Sequence, residues 1–266
     1  MLQKIQLSLN QLRQHKPVVL CLTNYVSADL VANSLLAVGA SPIMSQDIRE
    51  IEELVAISNA LYINIGTLDQ EFVSRCFNAA ELAKRYNKPI VLDPVGAGAS
   101  KIRTKTAIDF LSICDIVRGN ASEIIALTQA NAKTAGVDST DQVCDAKDSA
   151  RMMAKNFGFV TVVSGEIDFI TKDGQEIEFK LGSKIMPLVT GMGCALTGVI
   201  AAFRGVEADS FEAAQVATAY FALCGNLAEI KTQKPGGFRA EFIDQLNCGD
   251  FASMVEFASG LKTSKA

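Results

Sequence analysis

The sequence predicts an α/β domain built on a mostly parallel central sheet covered by helices on both faces. Three observations lead there. Short β-branched runs alternate with longer segments of helical periodicity. The runs are apolar almost throughout, as strands are when both faces of their sheet are buried. Each run ends in glycine or small polar residues, and ligands of open α/β sheets bind outside the carboxyl ends of the strands.

Taken in order, Met1 to Leu12 reads as an amphipathic helix with Leu2, Ile5, Leu9 and Leu12 on one face, and it lacks the unbroken apolar stretch of a secretory leader. Val18–Leu22 is the first strand and runs into Thr23-Asn24-Tyr25. Helical patterns follow over 26–38 and 47–58, then the strand Leu61–Ile65, ending in Gly66-Thr67. A helix over 69–86 precedes the strand Ile90–Leu92, which leads into Asp93-Pro94-Val95-Gly96. A helix over 105–112 precedes the strand Asp115–Val117, which leads into Arg118-Gly119-Asn120. Helices over 122–129 and 141–156 bring the chain to Val160–Val163, a strand that runs into Ser164-Gly165-Glu166. Ile167–Thr171 and Glu176–Leu181 flank Lys172-Asp173-Gly174-Gln175, the signal of a hairpin. Beyond residue 205 the pattern is mainly helical, with Ala213, Ala214, Ala217, Ala219, Ala222 and Gly225 permitting close helix packing. No internal repeat, low-complexity tract or linker divides the chain, so 1–266 reads as one domain.

Bulk properties narrow the function. The formal net charge of −4, without a run of like charges, gives no reason to expect a nucleic-acid or anionic-membrane partner. No apolar run reaches the roughly 18 residues of a membrane span, and the expected location is the cytoplasm. The seven cysteines are odd in number and none is paired as C-x-x-C, against a disulfide framework or a zinc ribbon. The single histidine, His15, sits in a linker, which excludes a multi-histidine metal site and leaves any imidazole-based nucleophile dependent on that one residue.

The chemistry is expected at Val189-Thr190-Gly191-Met192-Gly193-Cys194. Leu196, Val199, Ile200 and Phe203 recur at i, i+3, i+4 and i+7, so a helix starts here with Cys194 in its first turn. The amides of Gly191, Met192, Gly193 and Cys194 would form an anion hole at the positive end of that helix. A thiol so placed is expected to have a lowered pKa. Five strand ends and this turn would make one polar rim. Plainer readings exist for each residue taken singly. Free cysteines pack as small apolar groups, Asp93 before Pro94 can simply start a turn, and Glu123 stabilises its helix dipole whatever it binds. Met44 can be a core filler.

Three common signatures are absent: the P-loop G-x-x-x-x-G-K-[ST], a complete G-x-G-x-x-G around Gly96-Ala97-Gly98, and the G-x-S-x-G nucleophile elbow. What the chain does carry, in order, is Thr23-Asn24-Tyr25-Val26, Gly39-Ala40-Ser41-Pro42-Ile43-Met44, Asn64-Ile65-Gly66-Thr67-Leu68, Leu92 to Ala99, Arg118-Gly119-Asn120-Ala121-Ser122-Glu123-Ile124, Ser164-Gly165-Glu166-Ile167-Asp168 and Val189 to Phe203. Together these segments resemble the hydroxyethylthiazole kinases, members of the ribokinase-like superfamily. The resemblance runs from about Cys21 to Phe203 and implies a ribokinase-like fold. It implies phosphorylation of 4-methyl-5-(2-hydroxyethyl)thiazole by ATP with Mg²⁺, a salvage step of thiamine biosynthesis. It also implies a homotrimer with active sites between subunits. Cys194 stands where relatives in the superfamily usually carry an Asp general base. By the same resemblance Met44, Asn24, Gly66 and Gly191 would contact the thiazole, Arg118 and Ser164 would contact ATP, and Asp93 and Glu123 would lie on the metal and phosphate side.

These residue types suit phosphoryl transfer, which needs positioning and charge neutralisation more than covalent help. Carboxylates suit Mg²⁺, and an Arg suits phosphate oxygens. A thiol is a weaker base than the Asp it replaces, so Cys194 is expected to be a modest base or a positioning group. Departures from the family pattern are small: Met192 between the two glycines, Ser164 where Thr is frequent, and Gly237 for Ser in Pro235-Gly236-Gly237-Phe238. Three other functions compete: a kinase of the same fold for another vitamin alcohol, a nucleotide- or thiazole-binding protein without turnover, and a Cys194 nucleophile enzyme.

Overall fold

A computed structural model describes residues 1–134 and 145–260. An amphipathic helix α1 (Leu2–His15) buries Ile5, Leu9 and Leu12, the face read from the sequence. The strands are β1 (Val18–Leu22), β2 (Ser41–Met44), β3 (Ala60–Asn64), β4 (Ile90–Asp93), β5 (Ile116–Asn120), β6 (Val160–Ser164), β7 (Asp168–Lys172) and β8 (Gln175–Phe179). They form one sheet in the order β2-β1-β3-β4-β5-β6-β7-β8. The first six are parallel, and β7 and β8 continue the sheet antiparallel. The β7–β8 hairpin closes on Asp173 (φ 48°) and Gly174 (φ 81°), the left-handed pair that a tight Asp-Gly hairpin turn requires.

Between the strands run α2 (Ala28–Val38), α3 (Ile51–Ile57), α4 (Gln70–Arg85), α5 (Lys101–Leu111), α6 (Ala121–Thr134) and α7 (Ala146–Phe157). After the hairpin come α8 (Met192–Arg204), α9 (Ser210–Lys231), α10 (Pro235–Cys248) and the short α11 (Phe251–Met254). Period-two alternation divides the strand residues between two cores. Val19 and Cys21 of β1 and Tyr62 of β3 join the core under α1, α2, α8, α9 and α10. Leu20, Leu22, Leu61 and Ile63 join the core under α3 to α7. Helices therefore cover both faces, as the apolar strands required.

The sequence reading missed β2. Its Pro42 lacks a ladder donor and argues against a strand, but β2 is the edge of the sheet, where proline is tolerated. α5 begins at Lys101 rather than 105, because Ser100 caps it by accepting from the Arg103 N–H. Residues 141–144 of the expected helix 141–156 lie outside the described residues; α7 starts at Ala146, capped by Asp145.

The topology places the functional residues. Parallel strands present all their carboxyl ends at one edge, so Asn24, Asn64, Asp93, Asn120 and Ser164 follow or end successive strands on the same side. α8 packs against β1, β3 and β4, and its N-terminus arrives at that edge.

Candidate active site

The centre of the site is the start of α8. Gly191 is its N-cap with φ 90°, a left-handed conformation that favours glycine, and a Cβ there would lie 2.8 Å from Ser27 Cβ. The first helical bond runs from the Ala195 N–H to the Gly191 carbonyl at 2.8 Å. The amides of Met192, Gly193 and Cys194 precede it and have no acceptor within the helix. Gly193 lies against the Arg118 guanidinium: a Cβ there would be 2.5 Å from Nη1.

Asp93, at the end of β4, is fully buried. Its Oδ2 accepts from Thr197 Oγ1 at 2.9 Å and from Asn64 Nδ2 at 3.0 Å, and lies 3.8 Å from Arg118 Nη1. Its Oδ1 is buried with no partner. Burial pushes the Asp93 carboxyl up to about 6; Arg118 opposes the rise and Glu123 adds to it. Arg118 in turn donates to the Ser164 hydroxyl at the end of β6. Glu123 accepts from the Gly96 N–H through Oε1 and from the Asn120 N–H through Oε2, each at 2.9 Å, so it braces the loop after β4 while capping α6.

Cys194 is half-buried and free. Its Sγ accepts from Asn24 Nδ2 at 3.4 Å. The expectation of a lowered thiol pKa is corrected: burial, then the Asp93 carboxylate, push it up, and the side chains of Ser27, Asn24 and Asn64 pull it down without reversing the shift. Removing a thiolate from water disfavours it, and the neighbouring carboxylate adds to that.

The structure thus brings together Asn24, Asp93, Arg118, Ser164, Gly191, Gly193 and Cys194. Gly66 joins them, since a Cβ on it would meet Asn24 Nδ2 at 2.9 Å. Glu123 reaches the group through the charge it exerts on Asp93. Met44 stands at the end of the edge strand, in register with Cys21 and 40% exposed. Met192 is buried and its side chain joins the core that α8 shares with α2 and α9. Tyr62, Asn64 and Thr197 were given no role from the sequence. An amide closing an otherwise apolar buried strand was the available signal for Asn64, because such a group needs partners. Among the described residues no cluster of three or more His, Cys, Asp or Glu could hold a metal by itself. No described helix is long and apolar enough to cross a membrane.

The model of the hydroxyethylthiazole kinase family matches residues 9–248. A hydroxyethylthiazole kinase of Chlamydia abortus is 50% identical over 259 residues, covering 97% of this chain and 99% of its own. The solved structure of a hydroxyethylthiazole kinase protein from Pyrococcus horikoshii superposes with a TM-score of 0.85 at 33% identity, over 92% of this chain and 93% of its own. A ribokinase-like superfamily protein of Enterococcus faecalis, 14% identical with a TM-score of 0.63 over 89% of this chain and 87% of its own, shares the fold.

Proposed function

The chain belongs to the hydroxyethylthiazole kinase family, and from that premise we propose that its site transfers the γ-phosphoryl group of ATP to the hydroxyl of 4-methyl-5-(2-hydroxyethyl)thiazole, in thiamine salvage. The observation that carries this reading is the meeting of three groups at one helix N-terminus: unbonded amides, the Asp93–Arg118 pair and the Cys194 sulfur.

The amides of residues 191–194 hold the oxygens of the transferring group, where their dipoles act as its charge shifts. Arg118 and Ser164 hold ATP. The thiazole lies against Gly191, Gly66, Asn24 and Met44, with its hydroxyl toward Cys194. The hydroxyl oxygen forms the bond to the γ-phosphorus, the bond to the β–γ bridging oxygen breaks with its electron pair leaving on ADP, and the hydroxyl proton passes to Cys194 Sγ as thiolate. In a loose transition state that proton moves late, so a modest base suffices.

Asp93 fits Mg²⁺ directly, and Glu123, whose two oxygens are held by the Gly96 and Asn120 N–H groups, would add its negative charge beside the ion. Asp93 Oδ1 is a buried carboxylate oxygen without a partner, and oxygen ligands suit a cation that keeps most of its coordination for phosphate and water. When bound with ATP, Mg²⁺ supplies neutralisation of phosphate charge. The chain functions as one catalytic domain in the cytoplasm, as a homotrimer whose neighbouring subunits cover the site mouth. Around that mouth Tyr25, Val26 and Leu188 are exposed apolar side chains.

The test is ADP release with Mg-ATP and the thiazole alcohol, with the product identified by mass. Thiazole-dependent turnover abolished by EDTA is expected. Turnover with a different vitamin alcohol instead would move the substrate, and ATP binding without any turnover would overturn the kinase reading.

A further inference from the structure

Cys194 is gripped through two carboxamides whose orientation is forced. The Ser27 N–H, which can only donate, points at Asn24 Oδ1 at 2.9 Å. The Gly66 N–H points at Asn64 Oδ1 at 2.9 Å. Both side-chain oxygens are thereby assigned, and both nitrogens with them. Asn24 Nδ2 then spends one hydrogen on Asn64 Oδ1 at 2.8 Å and the other on Cys194 Sγ at 3.4 Å. Asn64 Nδ2 spends its two on the Tyr62 hydroxyl at 2.8 Å and Asp93 Oδ2 at 3.0 Å. The Tyr62 hydroxyl in turn donates to the Cys194 carbonyl at 3.0 Å. Asn64 is wholly buried and Asn24 nearly so, which leaves neither amide an easy exchange with water. There is no slack beside them either: a Cβ on Gly66 would lie 3.0 Å from Asn64 Oδ1.

We propose that Asn64 is a positioning residue for phosphoryl transfer: it locks the Asn24 amide so that an N–H always faces the Cys194 sulfur, and it fixes the Cys194 backbone through Tyr62. A sulfur that faces a donor is held as the acceptor, with any thiol hydrogen turned elsewhere, and the N–H eases the proton-accepting form against the burial and the Asp93 charge that oppose it. Asn24 has no donor left for the substrate, so its work at the site is done through the sulfur. The same lock joins the thiol to the Asp93 side of the site, because one amide serves both. This inference rests on Cys194 being the proton acceptor.

The test is a double-mutant cycle between Asn64→Leu and Cys194→Ala, read as kcat and KM, with the alkylation rate of Cys194 by iodoacetamide at pH 8 followed on its own peptide. Asn64→Leu is expected to lower kcat by about tenfold or more, leave KM for ATP within about twofold, and slow Cys194 alkylation at least about threefold. In the Cys194→Ala background its further cost should be several-fold smaller, the remainder being the backbone hold through Tyr62, which alanine keeps. An unchanged alkylation rate, or an equal loss of kcat in both backgrounds, would overturn the lock. The underlying reading fails separately: Cys194→Ala keeping nearly full kcat removes the base while the alkylation readout still reports on the amides. If Asn64→Leu does not fold, Asn64→Ser, whose hydroxyl is too short to reach Asn24, carries the same readouts and expectations.

Discussion

Cys194 shows what one side chain inherits from its place and what it inherits from its neighbours. The sequence placed it in the first turn of a helix, and that position is correct. The inference from position to a lowered pKa failed, because burial and the carboxylate of Asp93 raise it, and neither is visible in a linear pattern. A raised thiol pKa has a kinetic consequence. If the thiolate takes the substrate proton, kcat rises with pH from neutrality upward, since deprotonation of the sulfur creates the working form. Cys194→Ala should then lose roughly 10²–10⁴-fold in kcat, the range of one acid–base group, and lose the rise with pH. Cys194→Asp should keep substantial activity and flatten the profile above neutrality, because a carboxylate is already ionised there. Steady-state profiles from pH 6 to 9 decide this. An inactive but folded and ATP-binding Asp variant would sink the proton-acceptor role. Asn64 and Tyr62 were not legible at this scale: their importance lies in three hydrogen bonds to residues distant in sequence, Asn24, Asp93 and Cys194, and only the fold reveals those.

At the scale of elements, local chemistry was readable where a cap or turn is made by adjacent residues. Asp173-Gly174 forms the expected hairpin, and Gly191 forms the expected entry to α8. The edge strand β2 was lost because its pairing with β1 overrides the signal of Pro42, a tertiary effect. The α8 N-terminus also makes a prediction about Gly193. Its φ is not in the left-handed region, so backbone strain does not demand glycine; the nearby guanidinium does. A methyl group at 193 would sit 2.5 Å from Arg118 Nη1 and 2.9 Å from Nη2, and Arg118 is already tied to Asp93 and Ser164. Gly193→Ala should therefore leave helix stability close to wild type, since Ala favours a helix over Gly by roughly 1 kcal/mol. It should displace Arg118, raising KM for ATP and lowering kcat/KM by at least about tenfold. Wild-type ATP kinetics in this variant would show that Arg118 does not occupy its working position beside Gly193.

At the scale of the molecule, the parallel sheet and its covered faces were legible because strand periodicity and apolar runs are properties of the whole chain. One buried charge bears on global stability. Asp168, at the start of β7, accepts from the Gly165 N–H at 3.1 Å, and burial pushes its carboxyl up to about 7 from an ordinary 3.8. Between those values the folded chain keeps a proton that the unfolded chain has lost. Its contribution is therefore complete below about pH 4, falls as pH rises toward 7, and is flat above. Asp168→Asn removes that slope, so urea unfolding should show it gaining about 1–3 kcal/mol on wild type between pH 5 and pH 8. Equal differences at the two pH values would mean that Asp168 is ionised in the fold throughout.

Quaternary structure was the property least legible in the sequence, since nothing in a pattern of core residues says which apolar residues stay outside. The fold leaves Tyr25 79%, Leu188 67% and Val26 60% exposed. Tyr25 and Val26 follow β1, Leu188 shortly precedes Gly191, and the two segments meet where Ser27 packs against Gly191. The exposed apolar groups thus surround the mouth of the site. β2, at the sheet edge beside them, ends in a half-exposed Met44. Edge strands and clustered apolar residues are ordinarily covered. In the proposed homotrimer a neighbouring subunit would cover them and close the thiazole side of the site, so assembly and catalysis should fail together. Sedimentation should give a species of three times the 28.4 kDa chain. Tyr25→Glu and Leu188→Glu, each placing a charge where a neighbour would bury it, should shift the protein toward monomer with its circular dichroism unchanged. Both should raise KM for the thiazole far more than KM for ATP, because only the thiazole loses its cover. A monomeric variant with wild-type thiazole kinetics would show that each subunit carries a complete site and that the apolar rim serves some other contact.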